Sequence, residues 1–311
     1  DRCIVFQSYT GGFMANVHNV ILAVAFVARP GNILYFDDSE HSYHCPSDTG
    51  VENHSWDVFF NGSQPTRFPT SEHVLKNCSK VNTMELLQMR EELAVQAGCS
   101  SADDLSFREG EPSVRLLYAK LADATEKVWK FSSKMQYIVD YEVESIRLMA
   151  GKQLTIGIQA RGGDKMSEQG DWANKITSKG HSRAFDQVKK HLPPDVHGKV
   201  VCIIVGDDYN LANSLARLAT ATFDCLIINR VMPSPRSISH DQGIYNSSPL
   251  QERCHGTFRI LADVEMLANT NFFVGYRNSN VATMVSLIRR FIYKKNKGSE
   301  FDFSESSLKP Y

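Results

Sequence analysis

The stretch from Leu154 to Glu168 reads "LTIGIQARGGDKMSE". A β-branched, apolar run ends abruptly in charges, and strand ends in α/β proteins are where chemistry collects. Arg161 is a permanent cation with a planar fork, suited to phosphate oxygens or a developing anion. Gly162 and Gly163 allow the backbone to come close to a ligand. Asp164 and Lys165 follow, the lysine adding a compact second cation, and Glu168 can serve as a general base or accept from a hydroxyl. The same residues can also form a plain surface turn closed by Arg161–Asp164 pairing. The loop has neither Walker A nor GxGxxG spacing, so the common nucleotide fingerprints do not apply.

Two further segments carry candidate groups. "IIVGDDYN" puts Asp207 and Asp208 after a strand, where paired carboxylates can bind a metal, touch a sugar or cap the next helix; their place at a first helical turn favours the cap. The segment from Glu252 to Arg289 holds Asp263 in mid-helix, either on a solvated face or facing a ligand, where a carboxylate can accept from the two donors of a guanine edge. "YRNSN" then leads from a strand into a helix whose amides make a phosphate site, with Ser279 and Asn280 as side-chain donors.

These groups need a scaffold of alternating strands and helices. "RCIVFQS", a glycine turn, the apolar helix "MANVHNVILAVAFVARP" and "NILYFDD" form a βαβ unit. Residues 40–112 are polar and read as loops and short helices, and 113–150 as helical. A second series follows, with strands "LTIGIQA", "KVVCIIVG", "CLIINRV" and "FFVGY" separated by amphipathic helices. The fold class is α/β, with two Rossmann-like halves, 1–150 and 151–311, facing a cleft.

The chain has 311 residues, 42% of them hydrophobic, and a net charge of −1, so bulk binding to nucleic acid or an anionic membrane is not expected. The longest apolar run, "VILAVAFVA", is about half of what a bilayer requires. The chain begins at Asp1 without a signal peptide, so any membrane attachment would rest on an anchor absent from this sequence. The seven cysteines include no CxxC pair. Cys3, Cys45, Cys78 and Cys99 can form disulfides in an oxidising lumen, whereas Cys202, inside "VVCIIV", reads as a small core residue. N-glycosylation sequons at Asn53, Asn61, Asn77 and Asn246 add to the case for the secretory pathway.

Taken in order, these segments resemble the alpha-1,6-fucosyltransferase family, which modifies N-glycan cores and chitooligosaccharides. That family's first motif is His-x-Arg-Arg-x-Asp-Lys at a strand end. Here Arg161, Asp164 and Lys165 match, Gln159 stands for the His and Gly162 for the second Arg. "VGDD" resembles the family's Asp-Asp strand end; Asp263, "FFVGY" and Ser279–Asn280 follow its third motif. "GGFMANVHNV", with Gly12, Phe13 and His18, resembles its glycine–Phe loop.

The resemblance implies a GT-B-like fold, with the acceptor on the N-terminal side and nucleotide-sugar binding on the C-terminal side. It implies inverting transfer of fucose from GDP-fucose to a glycan or glycoprotein, in the Golgi or secretory lumen, with no metal or cofactor. Arg161 would hold the β-phosphate and Glu168 take the acceptor proton, although the family's carboxylate aligns with Gln169. Asp263 would read guanine, and Ser279 and Asn280 would hold phosphate. Gly12, Phe13, Gln159, Asp164, Lys165 and Asp208 complete the expected donor site. Gln159 and Gly162 leave two other readings open: a family member that binds nucleotide or glycan without turnover, and a relative using another nucleotide sugar. N-glycan enzymes of the family carry a further SH3-like domain; this sequence ends soon after the last helix, so that domain is expected to be either lacking or lost to truncation.

Overall fold

The computed structural model describes residues 2–7, 12–28, 32–37, 43, 45–46, 52–53, 56–61, 66–67, 78–96, 112–162, 178–194, 196, 200–232, 242–276 and 279–303. The chain divides into two compact units, Asp1–Gln136 with Pro249–Phe258, and Tyr137–Ser248 with Arg259–Tyr311. The sequence reading draws its line at 150/151. In the structure the first segment ends within the helix Ser133–Ala150. Residues 249–258 join unit 1 through the disulfide Cys45–Cys254 and the packing of Phe258 on Phe59, ring centroids 5.1 Å apart.

Unit 1 contains β1 (Arg2–Gln7), α1 (Phe13–Phe26), β2 (Asn32–Asp37), β3 (Cys45–Pro46), β4 (Glu52–Asn53), α2 (Trp56–Phe59), β5 (Thr66–Arg67), β6 (Ser79–Val81), α3 (Thr83–Gln96) and α4 (Pro112–Val128). The four-stranded sheet is parallel throughout, in the order β5-β2-β1-β6. β1–α1–β2 is the βαβ unit read from the sequence. α1 is apolar nearly all round and is buried on nearly every side, as such a helix must be.

The stretch 40–112, expected to hold loops and short helices, instead supplies both outer strands of this sheet and the 14-residue helix α3. β5 and β6 are too short to show alternation. A capping box starts α3: Asn82 Oδ1 accepts from the Glu85 amide at 3.0 Å and Glu85 Oε2 accepts from the Asn82 amide at 2.7 Å.

Unit 2 is built from most of α5 (Ser133–Ala150), β7 (Leu154–Ala160), α6 (Ser178–His191), β8 (Val200–Gly206), α7 (Tyr209–Phe223), β9 (Leu226–Asn229), α8 (Gln242–Ser247), the C-terminal part of α9 (Leu250–Asn269), β10 (Phe272–Gly275), α10 (Asn280–Phe291) and β11 (Glu300–Asp302). Its sheet is parallel, in the order β11-β10-β7-β8-β9. The four strands read from the sequence are all present, and β11 is a fifth. β7, first in the chain, lies centrally; the next two strands extend the sheet on one side and the last two on the other. The winding therefore reverses between β7 and β10, the place where open α/β sheets bind ligands.

The core explains the strength of this sheet. Residues 200–205 of β8 are buried, as are Ile156 and Ile158 of β7, with Phe185, Leu215 and Phe223 packed over them. Each fully buried side chain of this size stabilises by about 1.5–3 kcal/mol. Cys202 is in the core, as read, and is also joined to Cys225, with 6.0 Å between Cα atoms. Residue 225 stands just before β9, the strand that pairs with β8, and this adjacency comes from strand order. A third disulfide, Cys3–Cys78, links β1 to the approach to β6; Cys99 lies outside the described residues. Among the described residues no helix is long and apolar enough to cross a membrane.

Candidate functional site

The C-terminal edge of the unit 2 sheet gathers most of the expected groups that lie among the described residues. β7 delivers Gln159, Arg161 and Gly162, and β8 delivers Asp207 and Asp208. The turn after β10 delivers Tyr276, Ser279 and Asn280. Parallel registration aligns these ends, pairing Gln159 with Val205 and Ala160 with Gly206. Gly206 is required there, because a Cβ would overlap the Ala160 carbonyl.

Arg161 forms an ion pair with Asp207 Oδ2, the two side chains retaining 15% and 16% exposure. Asp207 Oδ1 accepts from the Gly162 amide at 2.8 Å, and the Asp207 amide donates to the Ala160 carbonyl at 3.1 Å. One carboxylate thus engages a guanidinium and a backbone amide together, a donor pair that also fits a phosphate. Asp208 is the N-cap of α7, its Oδ1 accepting from the Leu211 amide at 2.9 Å. The Asp208 side chain also fills the space beside Gly162: a Cβ there would lie 2.5 Å from Asp208 Oδ2 and 2.8 Å from its Cβ. The second arginine of the resembling family has no room at this position unless Asp208 moves.

Gln159 is buried and bridges the switch point. Its Nε2 donates to Ser279 Oγ at 2.9 Å and its Oε1 accepts from the Tyr276 amide at 3.2 Å. Ser279 is the N-cap of α10, yet its side chain makes no cap bond. Asn280, the first residue of that helix, is exposed. Behind them His181 Nε2 lies 2.9 Å from the Tyr276 hydroxyl. Burial lowers the His181 pKa to about 4 and raises that of Tyr276, so both are neutral near pH 7.

Asp263 belongs to a second cluster. Arg230, the residue after β9, donates from Nε to Asp263 Oδ1 at 3.1 Å and from Nη1 to Glu142 Oε2 at 2.9 Å. Arg259 Nε stands 3.9 Å from Asp263 Oδ2, beyond hydrogen-bond reach, while its Nη2 donates to the Arg230 carbonyl. Burial raises the Asp263 pKa against the pull of Arg230 and Arg259. Burial opposes the Arg230 charge, but Asp263 and Glu142 outweigh it and raise its pKa.

Gly12 and Phe13 lie in unit 1. Gly12 is the N-cap of α1, its carbonyl accepting from the Ala15 amide at 3.0 Å. Phe13 is inside the core, with Tyr43, Trp56 and Phe59 around its ring. Asp164, Lys165 and Glu168 fall outside the described residues. No group of three or more His, Cys, Asp or Glu side chains among the described residues could hold a metal ion.

Asp207 was read from the sequence as half of a carboxylate pair at a strand end, and the structure gives it Arg161 as a partner. His181, Tyr276 and Arg230 were not among the site residues read from the sequence, and they become visible only when strand order brings distant segments together.

No protein-family model and no curated protein matches the sequence. Among solved structures, the fucosyltransferase NodZ from Bradyrhizobium is similar at 14% identity, over 92% of this chain and 91% of its own, with a TM-score of 0.50. An Arabidopsis thaliana FUT1 mutant in complex with GDP aligns at 11% identity, over 93% of this chain and 68% of its own, TM-score 0.48. POFUT1 in complex with GDP-fucose aligns at 9% identity, over 96% and 97%, TM-score 0.47. The likeness to NodZ is one of architecture: this chain has its GT-B-like α/β fold with parallel sheets.

Proposed function

We propose that this protein is a glycosyltransferase that moves fucose from GDP-fucose to a hydroxyl of a glycan or glycoprotein, with inversion and without a metal or other cofactor. The observation that carries the reading is the switch point between β7 and β10, where Arg161, the Gly162 amide, Ser279 and the N-terminus of α10 converge on a fold shared with NodZ. In the proposed reaction the acceptor oxygen attacks the anomeric carbon of fucose from the face opposite the diphosphate. The carbon–oxygen bond to GDP breaks, its electron pair leaves with GDP, and the acceptor proton passes to a base, assigned here to Glu168.

The charge gathering on the leaving diphosphate would be met by Arg161 and Lys165 and by the amides and hydroxyl at the start of α10. One such preorganised donor lowers the barrier by about 3–4 kcal/mol. Asp263, held through Oδ1 by Arg230 and with Arg259 Nε 3.9 Å from Oδ2, would turn Oδ2 to the donors of a guanine edge. A sugar linkage of the alpha-1,6 type extends the same reading from the sequence motifs. The three disulfides suit an oxidising compartment such as the Golgi lumen, and Asn61 of one sequon is exposed.

A second reading, nucleotide binding without turnover, is favoured by two features. Arg161 already has a carboxylate partner, and Asp208 occupies the room a second arginine would need. Calorimetric titration with GDP and UDP, followed by a GDP-fucose transfer assay on a panel of glycans, separates the two. GDP binding well ahead of UDP together with transfer is expected, and Arg161→Ala should lower turnover at least a hundredfold. GDP binding without transfer to any glycan supports the second reading, and equal competition by UDP removes the role given to Asp263.

A further inference from the structure

The two bonds of Gln159 fix the direction of a third. The Tyr276 amide can only donate, so the amide oxygen of Gln159 must face it, and does at 3.2 Å. Nε2 then faces Ser279 Oγ at 2.9 Å, and because it too can only donate, the serine oxygen must accept. A flipped Gln159 amide would set two donors against each other at the Tyr276 position. The hydroxyl proton of Ser279 is therefore excluded from the Gln159 side. The amides at the start of α10 cannot receive that proton, since backbone N–H groups only donate, and the Ser279 oxygen takes no cap bond from them.

The arrangement has little freedom. Gln159 and Ser279 are each 3% exposed. Tyr276 is held by its hydroxyl on His181 and by its ring against Phe303, centroids 5.0 Å apart, so its amide is presented from a fixed place. Ser279 is further anchored by its amide donating to the Tyr276 carbonyl at 2.8 Å.

We propose that Gln159 is a positioning residue that commits the Ser279 hydroxyl to donate toward the N-terminus of α10, where the reading above, on which this inference rests, puts the nucleotide diphosphate. Gln159 then touches no ligand. It sets the polarity of a group that does, and it does so from the strand on the other side of the switch point. The substitution of Gln for the His of the resembling family keeps this capacity, because a neutral imidazole also accepts at one nitrogen and donates at the other.

The test is GDP titration of the wild type, Gln159→Glu, Ser279→Ala, the double variant and Gln159→His, each with a thermal melt. Glu keeps the shape and the acceptor for the Tyr276 amide but accepts from Ser279, drawing its proton inward. Gln159→Glu and Ser279→Ala should each weaken GDP binding about tenfold. In the Ser279→Ala background the added cost of Gln159→Glu should shrink to what its negative charge alone imposes. Gln159→His should stay within about threefold of wild type by preserving both polarities. Equal cost of Gln159→Glu in both backgrounds overturns the proposal, as does a folded Gln159→His that binds about tenfold more weakly. In either case the wild type still binds GDP and the functional reading stands; a wild type that does not bind GDP removes both.

Discussion

Unit 2 has two arginines at opposite ends of one parallel sheet, and they are treated differently. Arg289 sits where β10 begins and is fully buried. It donates to the carbonyls of Thr270 at 2.6 Å and Asn271 at 3.0 Å and to Ser299 Oγ at 2.7 Å, and its Nε lies 3.4 Å from Glu300 Oε1. Lys295 adds bonds to the Asn269 and Thr270 carbonyls, at 2.5 and 2.6 Å. This closes the C-terminus of α9, whose last carbonyls would otherwise be orphaned. Arg161, at the opposite end, keeps partial exposure beside Asp207. At the edge where strands begin, the donors of Arg289 Nη1, Nη2 and Lys295 are spent on carbonyls and a serine of the fold itself. The edge where they end keeps a partly exposed cation, a helix N-terminus and a serine whose oxygen takes no cap bond. Stability is concentrated at one end and binding capacity at the other.

The strongest way to break this contrast is Arg289→Ala. It should lower unfolding free energy by about 3–5 kcal/mol in urea titration, because Glu300 and several carbonyls lose their partner in the core. GDP affinity of the folded fraction should not change. If Arg161→Ala destabilises as much as Arg289→Ala, the division of labour is wrong.

Acid sharpens the contrast from the other side. His181 has its pKa depressed to about 4 in the folded protein, against about 6.5 when unfolded. Between those values the unfolded chain binds more protons, so stability falls as pH drops from about 6.5 toward 4, by at most about 3 kcal/mol. His181→Phe should flatten that limb in melts recorded across the range. An unchanged slope would mean that another group governs it.

Gly162→Ala gives the smallest expected effect, about 1–3 kcal/mol of stability, as Asp208 is pushed from its cap on α7. Crystallography or hydrogen exchange at Leu211 would register the lost cap. A variant as stable as wild type, with Asp208 undisturbed, would mean that the loop yields easily and that a second arginine could be accommodated.

Much of this was legible in the residues. "LTIGIQA" is β7 at its read limits, because a short β-branched run with a charged end has few other uses in an α/β chain. Asp208 caps a helix as its place in "GDDYN" indicated. β11 was not legible: three residues, Glu300 to Asp302, pair with β10, and a run so short carries no period. Nor could Cys202 be matched to Cys225, since the pairing depends on which strands are neighbours.

The sequence by itself determined the local elements, the alternation that makes the sheets parallel, and the inventory of charged groups at strand ends. Those follow from periodicity and turn chemistry, which act over a few residues. Only the tertiary structure decided the partners. That Arg161 meets Asp207, that Asp263 is shared with Arg230, and that Gln159 reaches 120 residues along the chain to Ser279 follow from the strand order, because adjacency across a sheet has no signature in local spacing.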